Sequence, residues 1–200
     1  STRLPRAIRD VYKRQVVYGA MVAMAQKDLK FVIGYSSVSH MGYVLLGIAS
    51  LNFEGIDGAV AQMFAHGIMT ALFFTLIGNI YHQAHTREIA KFGGLIHQMP
   101  RVAIGFIIAG FASLGLPGLN NFVAEFLIFL GSHDEPRTLF SVIPFKAISI
   151  MAILGIVITA AYILKVIQST FLGPRKEEWN HLEDAKGVEM IPIAVSYTHL

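Results

Sequence analysis

Residues 102–132 read VAIGFIIAGFASLGLPGLNNFVAEFLIFLGS, an apolar run whose only charged residue is Glu125. A helix needs about 20 mostly apolar residues to cross the roughly 30 Å hydrocarbon layer of a bilayer, and this run exceeds that length. Its middle is interrupted by Gly115-Leu116-Pro117-Gly118-Leu119-Asn120-Asn121. Proline removes a backbone hydrogen bond and clashes with the preceding turn, and the flanking glycines add no stiffness. The helix is therefore expected to break at Pro117 and Gly118, leaving half-helix ends and free carbonyls at membrane depth. Such breaks are tolerated only where protein buries them or where they line a wet cavity, and transporters use them as ion sites. A plain proline kink is the simpler alternative. The carboxyl group of Glu125 in the same span favours an ion path, because a carboxyl in an apolar span with no adjacent base is hard to explain as structure.

Working outward, residues 31–53, 58–81 and 147–164 contain no Asp, Glu, Lys or Arg, and residues 16–26 resemble the end of a further helix. Backbone polar groups in lipid must be satisfied within their own segment, so all these stretches should be helical. The predicted fold is an all-α, polytopic membrane helix bundle with one proline-broken helix. Overall composition agrees, with 54% hydrophobic and 14% charged residues, against about 25% charged in soluble domains. A soluble enzyme is excluded. The absence of cysteine excludes disulfides, cysteine nucleophiles and thiolate-ligated clusters within this stretch.

The net charge of +3 does not point to nucleic acid, because the positive residues sit in short loops beside apolar spans. One side collects Lys27, Lys30, Arg87, Lys91, Arg101, Arg175 and Lys176. The other collects Arg137 and Lys146, near Glu54, Asp57, Asp134 and Glu135. The positive-inside rule makes the first side cytoplasmic or its organellar equivalent. Residues 1–15 carry Arg3, Arg6, Arg9, Lys13 and Arg14 without an apolar helical face, and no cleavage-type pattern follows them. They are expected to be a non-native leader, and residues 195–200 a non-native tail. Residues 16–173 would form a transmembrane domain of about five helices, and 174–194 a cytoplasmic loop.

Ionisable groups inside spans are rare because their burial is costly, so each is a candidate site. His40 falls near the middle of its span, preceded by Tyr35, Ser36, Ser37 and Ser39. Gln62, His66 and Thr70 follow at i, i+4, i+8 and share one helix face. The last span holds Tyr162 and Lys165. Against a functional reading, a lone transmembrane histidine is often a packing residue. The Gln62–His66–Thr70 face also suits interhelical hydrogen bonding, and Lys165 suits a snorkelling interface residue. His82, His85, His97 and His133 lie in or beside loops and are expected to be solvated.

Asp28-Leu29-Lys30, the run from Tyr35 to Gly42, Gln62-Met63, Ala65-His66-Gly67 and Gly93-Gly94-Leu95 occur in order. Leu116-Pro117-Gly118, Asn121-Phe122-Val123, Glu125-Phe126, Ala161-Tyr162 and Phe171-Leu172-Gly173 follow. This series resembles the antiporter-like membrane subunits of respiratory complex I, a family shared with sodium/proton antiporters. Glu125 at the end of the broken helix and Thr70 after His66 resemble the M-type, or chain 4, branch. The resemblance implies an antiporter-like fold of inverted five-helix repeats, with proton movement along a central polar axis driven by quinone reduction elsewhere. On that basis His40, His66 and Glu125 match proton-relay positions, with Ser39, Gln62, Thr70 and Lys165 as supporting polar residues. No catalytic, cofactor-binding or metal-binding residue is implied. NADH, flavin, iron–sulfur clusters and quinone would belong to other subunits. The implied partners are L- and N-type membrane neighbours, the lipid bilayer and protons, without nucleic acid. The short loops favour a bacterial inner membrane over an organelle. Two alternatives remain: a subunit of a multisubunit sodium/proton antiporter or membrane-bound hydrogenase, and a structural membrane subunit with no proton path of its own.

Overall fold

A computed structural model describes residues 6–133, 138–139 and 143–199. Its helices are α1 (Arg6–Ala25), α2 (Leu29–Ser50), α3 (Phe53–Ala84), α4 (Pro100–Ser113), α5 (Asn120–His133), α6 (Phe145–Ile167) and α7 (Met190–His199). Between α5 and α6, strands β1 (Thr138–Leu139) and β2 (Ile143–Pro144) form a short antiparallel pair with Leu139 opposite Ile143. The pair does not alter the all-helical character of the bundle. Among the described residues, three helices are long and apolar enough to cross a membrane: Leu29–Ser50, Phe53–Ala84 and Ser149–Leu172.

The helix ends follow from local chemistry. The Asp28 carboxylate accepts the Lys30 N–H at 2.8 Å and caps α2. Asn52 caps α3 by accepting the Gly55 N–H at 2.9 Å, and its amide donates to the Gly131 carbonyl at 2.7 Å. One side chain thus caps α3 and ties it to the far end of α5. Glycines let these two helices touch: a Cβ at position 58 would lie 2.7 Å from the Ile128 backbone nitrogen, and one at position 131 would lie 2.5 Å from that of Gly55. In α4, Pro100 fills the first helical position, where its missing N–H costs nothing. The Asp184 carboxylate accepts the N–H groups of Arg101 and Val102.

The 102–132 run does break. It forms α4 and α5, each of 14 residues and about 21 Å long, separated by a turn in which Gly115 has φ 60° and Gly118 φ 101°. These left-handed values favour residues without a Cβ.

Two features differ from the sequence-based expectation. Helix α1 is continuous from Arg6, so it crosses position 15, where the hydropathy pattern alone begins the helix. The segment after residue 173 is not loop throughout: α7 starts at Met190, and Ile193 is buried in the main apolar cluster.

The cytoplasmic assignments gather at one end of the bundle. Arg87 pairs with Asp28 at 3.3 Å and Lys91 with Glu88 at 2.8 Å. Lys176 donates to the carbonyls of Ala90 and Lys91, and the Trp179 indole N–H donates to the Lys91 carbonyl at 3.0 Å. Asp134, Glu135 and Arg137, assigned from the sequence to the other side, lie outside the described residues.

Apolar packing falls into two clusters. The larger, toward the end that carries Arg87 and Lys91, includes Leu29, Phe73, Leu76, Phe92, Phe106, Phe171 and Trp179. The smaller, toward the other end, includes Val16, Tyr43, Leu46, Ala49, Ile128 and Ala152. A buried polar zone built on α2, α3 and the α4–α5 break lies where α2 passes from one cluster to the other.

Candidate functional site

His40 is the centre of this polar zone. It lies midway along α2, 1% exposed, and both ring nitrogens face carbonyl oxygens. Nδ1 is 2.8 Å from the Ser36 carbonyl one turn earlier. Nε2 is 3.2 Å from the carbonyl of Ser113, the last residue of α4. A helix leaves its final four carbonyls without intrahelical partners, and interrupting a transmembrane helix places such a group at membrane depth. His40 thus meets one of the carbonyls that the break sets free.

His66, on α3, stacks on His40 with ring centroids 5.0 Å apart and planes inclined by 29°. It is 6% exposed, and its Nδ1 is buried without a hydrogen-bond partner. Gln62, one turn away on the same face, is 0% exposed, and neither its amide nitrogen nor its oxygen is partnered. The Ser113 hydroxyl and Asn121 Oδ1 are likewise buried and unpartnered. Asn121 sits in the first turn of α5 and turns its amide toward the Met69 sulfur at 3.4 Å.

Glu125, 4% exposed, reaches back from α5 to the break. A Cβ at position 115 would lie 2.5 Å from Glu125 Oε2, so glycine there provides both the left-handed turn and the room for the carboxyl group. Tyr43 and Tyr162 lie within electrostatic range of the same carboxyl. His40 and Glu125 therefore address the same interruption: the histidine binds the end of α4, and the acid fills the turn that follows.

The supporting residues separate by position. Ser39 donates to the Val16 carbonyl at 2.7 Å and ties α1 to α2. The Thr70 hydroxyl donates to the His66 carbonyl on its own helix at 2.8 Å. Gln62 belongs to the polar zone. Lys165 lies on the exposed side of α6, away from the zone. His82, His85, His97 and His133 are exposed, His82 and His133 in the last turns of α3 and α5.

Sequence reasoning noted Ser36 and Tyr162 as polar residues of their spans without giving them a relay role, and left Ser113 and Asn121 out of the site. Ser36 precedes His40 by four residues and so shares its helix face, which was a usable signal. No local signal marks the Ser113 carbonyl or Asn121, whose roles depend on how the broken helix docks against α2 and α3.

A broken membrane helix, two stacked histidines and a buried carboxyl together define a polytopic membrane protein with an interrupted-helix polar site. Residues 14–151 match the family described as NADH:quinone oxidoreductase/Mrp antiporter, TM. The chain belongs to this family and is an integral membrane protein. It is 41% identical over 180 residues to the NADH-quinone oxidoreductase subunit M of Rickettsia felis, covering 90% of this chain and 35% of that protein. The chain thus spans about a third of the length of that curated relative. In a solved structure of respiratory complex I from Thermus thermophilus with bound NADH, one chain matches with a TM-score of 0.86 at 31% identity, over 98% of this chain and 40% of that one. The Mrp complex of Dietzia sp. shows the same fold, with a TM-score of 0.75 at 24% identity over 86% of this chain and 30% of that one.

Proposed function

We propose that this chain forms part of the proton path of an M-type (chain 4) subunit of a NADH:quinone oxidoreductase. The observation that carries the reading is the convergence of His40, stacked on His66, and Glu125 on the free end of a broken membrane helix. A histidine is the side chain whose unperturbed pKa lies nearest neutrality, so it both takes up and releases a proton at modest cost. The unpartnered polar atoms of Gln62, His66, Ser113 and Asn121 support the same reading. Buried polar groups are rarely left unsatisfied, and bound water is the partner that a proton-conducting seam employs.

In this reading a proton held on the histidine pair is discharged by way of Glu125 when positive charge arrives on the axis. Coulomb repulsion is strong in a low-dielectric interior. The names of the relatives support complex I as the setting. The redox chemistry would then belong to other subunits that bind NADH, flavin, iron–sulfur clusters and quinone. The neighbours in the membrane would be L- and N-type subunits, and the location a bacterial inner membrane.

The test is Glu125→Gln in the full-length subunit within its assembled complex in inside-out vesicles. The expected result is loss of NADH-driven proton uptake by at least about tenfold, as for removal of an essential proton-transfer group, with complex assembly preserved. Normal pumping would overturn the proposal. A pumping loss that merely tracks loss of assembled complex would instead favour a structural subunit. Cation exchange without a quinone reductase would favour an antiporter.

A further inference from the structure

In an unbroken helix the Ser113 carbonyl would accept the N–H of the residue four positions on. That residue is Pro117, which has no N–H to give. The turn finds donors for the neighbouring carbonyls: Gly110 accepts the Leu114 N–H, Phe111 the Leu116 N–H and Ala112 the Gly115 N–H. The Ser113 carbonyl receives none of these. Among the described residues the donor that reaches it is His40, whose Nε2 lies 3.2 Å away.

The other ring nitrogen is already committed. Nδ1 lies 2.8 Å from the Ser36 carbonyl on its own helix, the distance of an ordinary N–H···O bond, so the first proton of the ring belongs there. A neutral imidazole has only that one N–H. Its bare Nε2 then sets a lone pair against the lone pairs of the Ser113 oxygen. A second proton, on Nε2, turns this contact into a hydrogen bond, and only the imidazolium satisfies both carbonyls. The positive charge also falls at the C-terminal end of α4, where the helix dipole favours a cation. His66, stacked on the ring from α3, has no matching cradle, since its Nδ1 has no protein partner. The other titratable groups around His40 are Tyr43 from the next turn of α2, Tyr162 of α6, which donates to the Ser36 hydroxyl, and Glu125 of α5 at the break. Helix α1 meets this stretch of α2 through the Val16 carbonyl, which Ser39 binds.

We infer that Nε2 of His40 is the atom that takes up the transported proton, and that the Ser113 carbonyl, deprived of its helical partner by Pro117, is the acceptor built for it. On loading, the Nε2 lone pair binds the proton and the ring bonds the end of α4. On discharge that N–H bond breaks, its electron pair returns to Nε2, and the proton passes on toward Glu125. Ring and carbonyl then repel, so the hold of α2 on the end of α4 is set by the proton itself. This inference rests on the proton-path reading above and names the atom that carries the proton.

The experiment is solid-state NMR of the full-length subunit in its assembled complex, labelled with ¹⁵N-histidine and with serine carrying ¹³C at the carbonyl. The contact of Nδ1 with the Ser36 carbonyl identifies His40 and is expected at every pH. The second proton is expected on Nε2, and a contact between Nε2 and the Ser113 carbonyl is expected to appear with it and weaken on its loss. Ser113→Ala keeps the carbonyl but removes its label, and so assigns that signal. Loss of the Nδ1 proton first, an Nε2 contact indifferent to the second proton, or no doubly protonated His40 at any pH that supports pumping would each overturn the inference. His40→Gln separates the two levels, because its amide still offers a donor toward Ser113 but carries no extra proton. It is expected to lower NADH-driven proton uptake at least about tenfold with assembly preserved. If it pumps normally, the proton-path reading itself fails. If it is dead while the second proton of the parent sits elsewhere than Nε2, only the present inference fails.

Discussion

Two polar helix faces confront each other across the centre of the bundle, and the protein treats them differently. On α2, Ser36, Ser39 and His40 are all buried and all bonded: to Tyr162, to Val16, and to Ser36 and Ser113. On α3, Gln62 and His66 are equally buried, yet the Gln62 amide and His66 Nδ1 have no protein partner. An unmade hydrogen bond in a dry interior is expensive, whereas a made one contributes only modestly. The α2 face thus reads as the fixed wall of the site, its groups held by α1, α4 and α6. The α3 face is the open wall, with donors and acceptors left for whatever enters.

If that contrast is real, the largest stability effect should come from His40→Ala. It removes a buried ring and its hydrogen bonding to the Ser36 and Ser113 carbonyls, and is expected to cost about 3 kcal/mol in thermal or denaturant unfolding of the full-length subunit in detergent. Gln62→Met on the open wall should change stability by less than about 1 kcal/mol, because it deletes two unsatisfied polar atoms while keeping the volume. Equal losses for the two variants would break the comparison. Ser39→Ala sharpens it at smaller scale: losing the bond to the Val16 carbonyl should cost about 1 kcal/mol. Thr70→Ala, whose hydroxyl turns back on its own helix, should cost less in the same assay.

The smallest effect belongs to the solvated loop after α3. The hydrogen bond and charge of Lys91 hold the Glu88 carboxyl below its usual range, and Glu88 raises the Lys91 ammonium in return. Because the folded pKa of Glu88 is depressed, its contribution is present above the unfolded value and fades as pH falls through the folded one. Glu88→Gln should therefore leave stability at neutral pH almost unchanged and should matter less still in high salt, as surface pairs do. A loss comparable to that of Ser39→Ala would show that exposed pairs count as much as buried bonds here.

Much of the fold was legible from local chemistry. The uncharged runs marked α2, α3 and α6, and Pro117 with its flanking glycines marked the interruption between α4 and α5. The site was half legible. His40, His66, Gln62 and Glu125 stand out because an ionisable or amide group in an apolar run is anomalous wherever the run ends up. Ser36 and Tyr162 are ordinary in such a run, and Lys165, equally conspicuous by sequence, points away from the site.

What the sequence determined by itself is what lipid makes a local matter. In a bilayer each segment must satisfy its own backbone, so span and break follow from residues a few positions apart. What only the tertiary structure decided is which polar groups meet. His40 binds a carbonyl 73 residues away, and Ser36 receives a hydroxyl from 126 residues away. Those bonds form because helices without an aqueous hydrophobic force between them pack by close contact and by pairing polar groups. Such pairing depends on which faces the packed helices bring together, a property of the whole bundle.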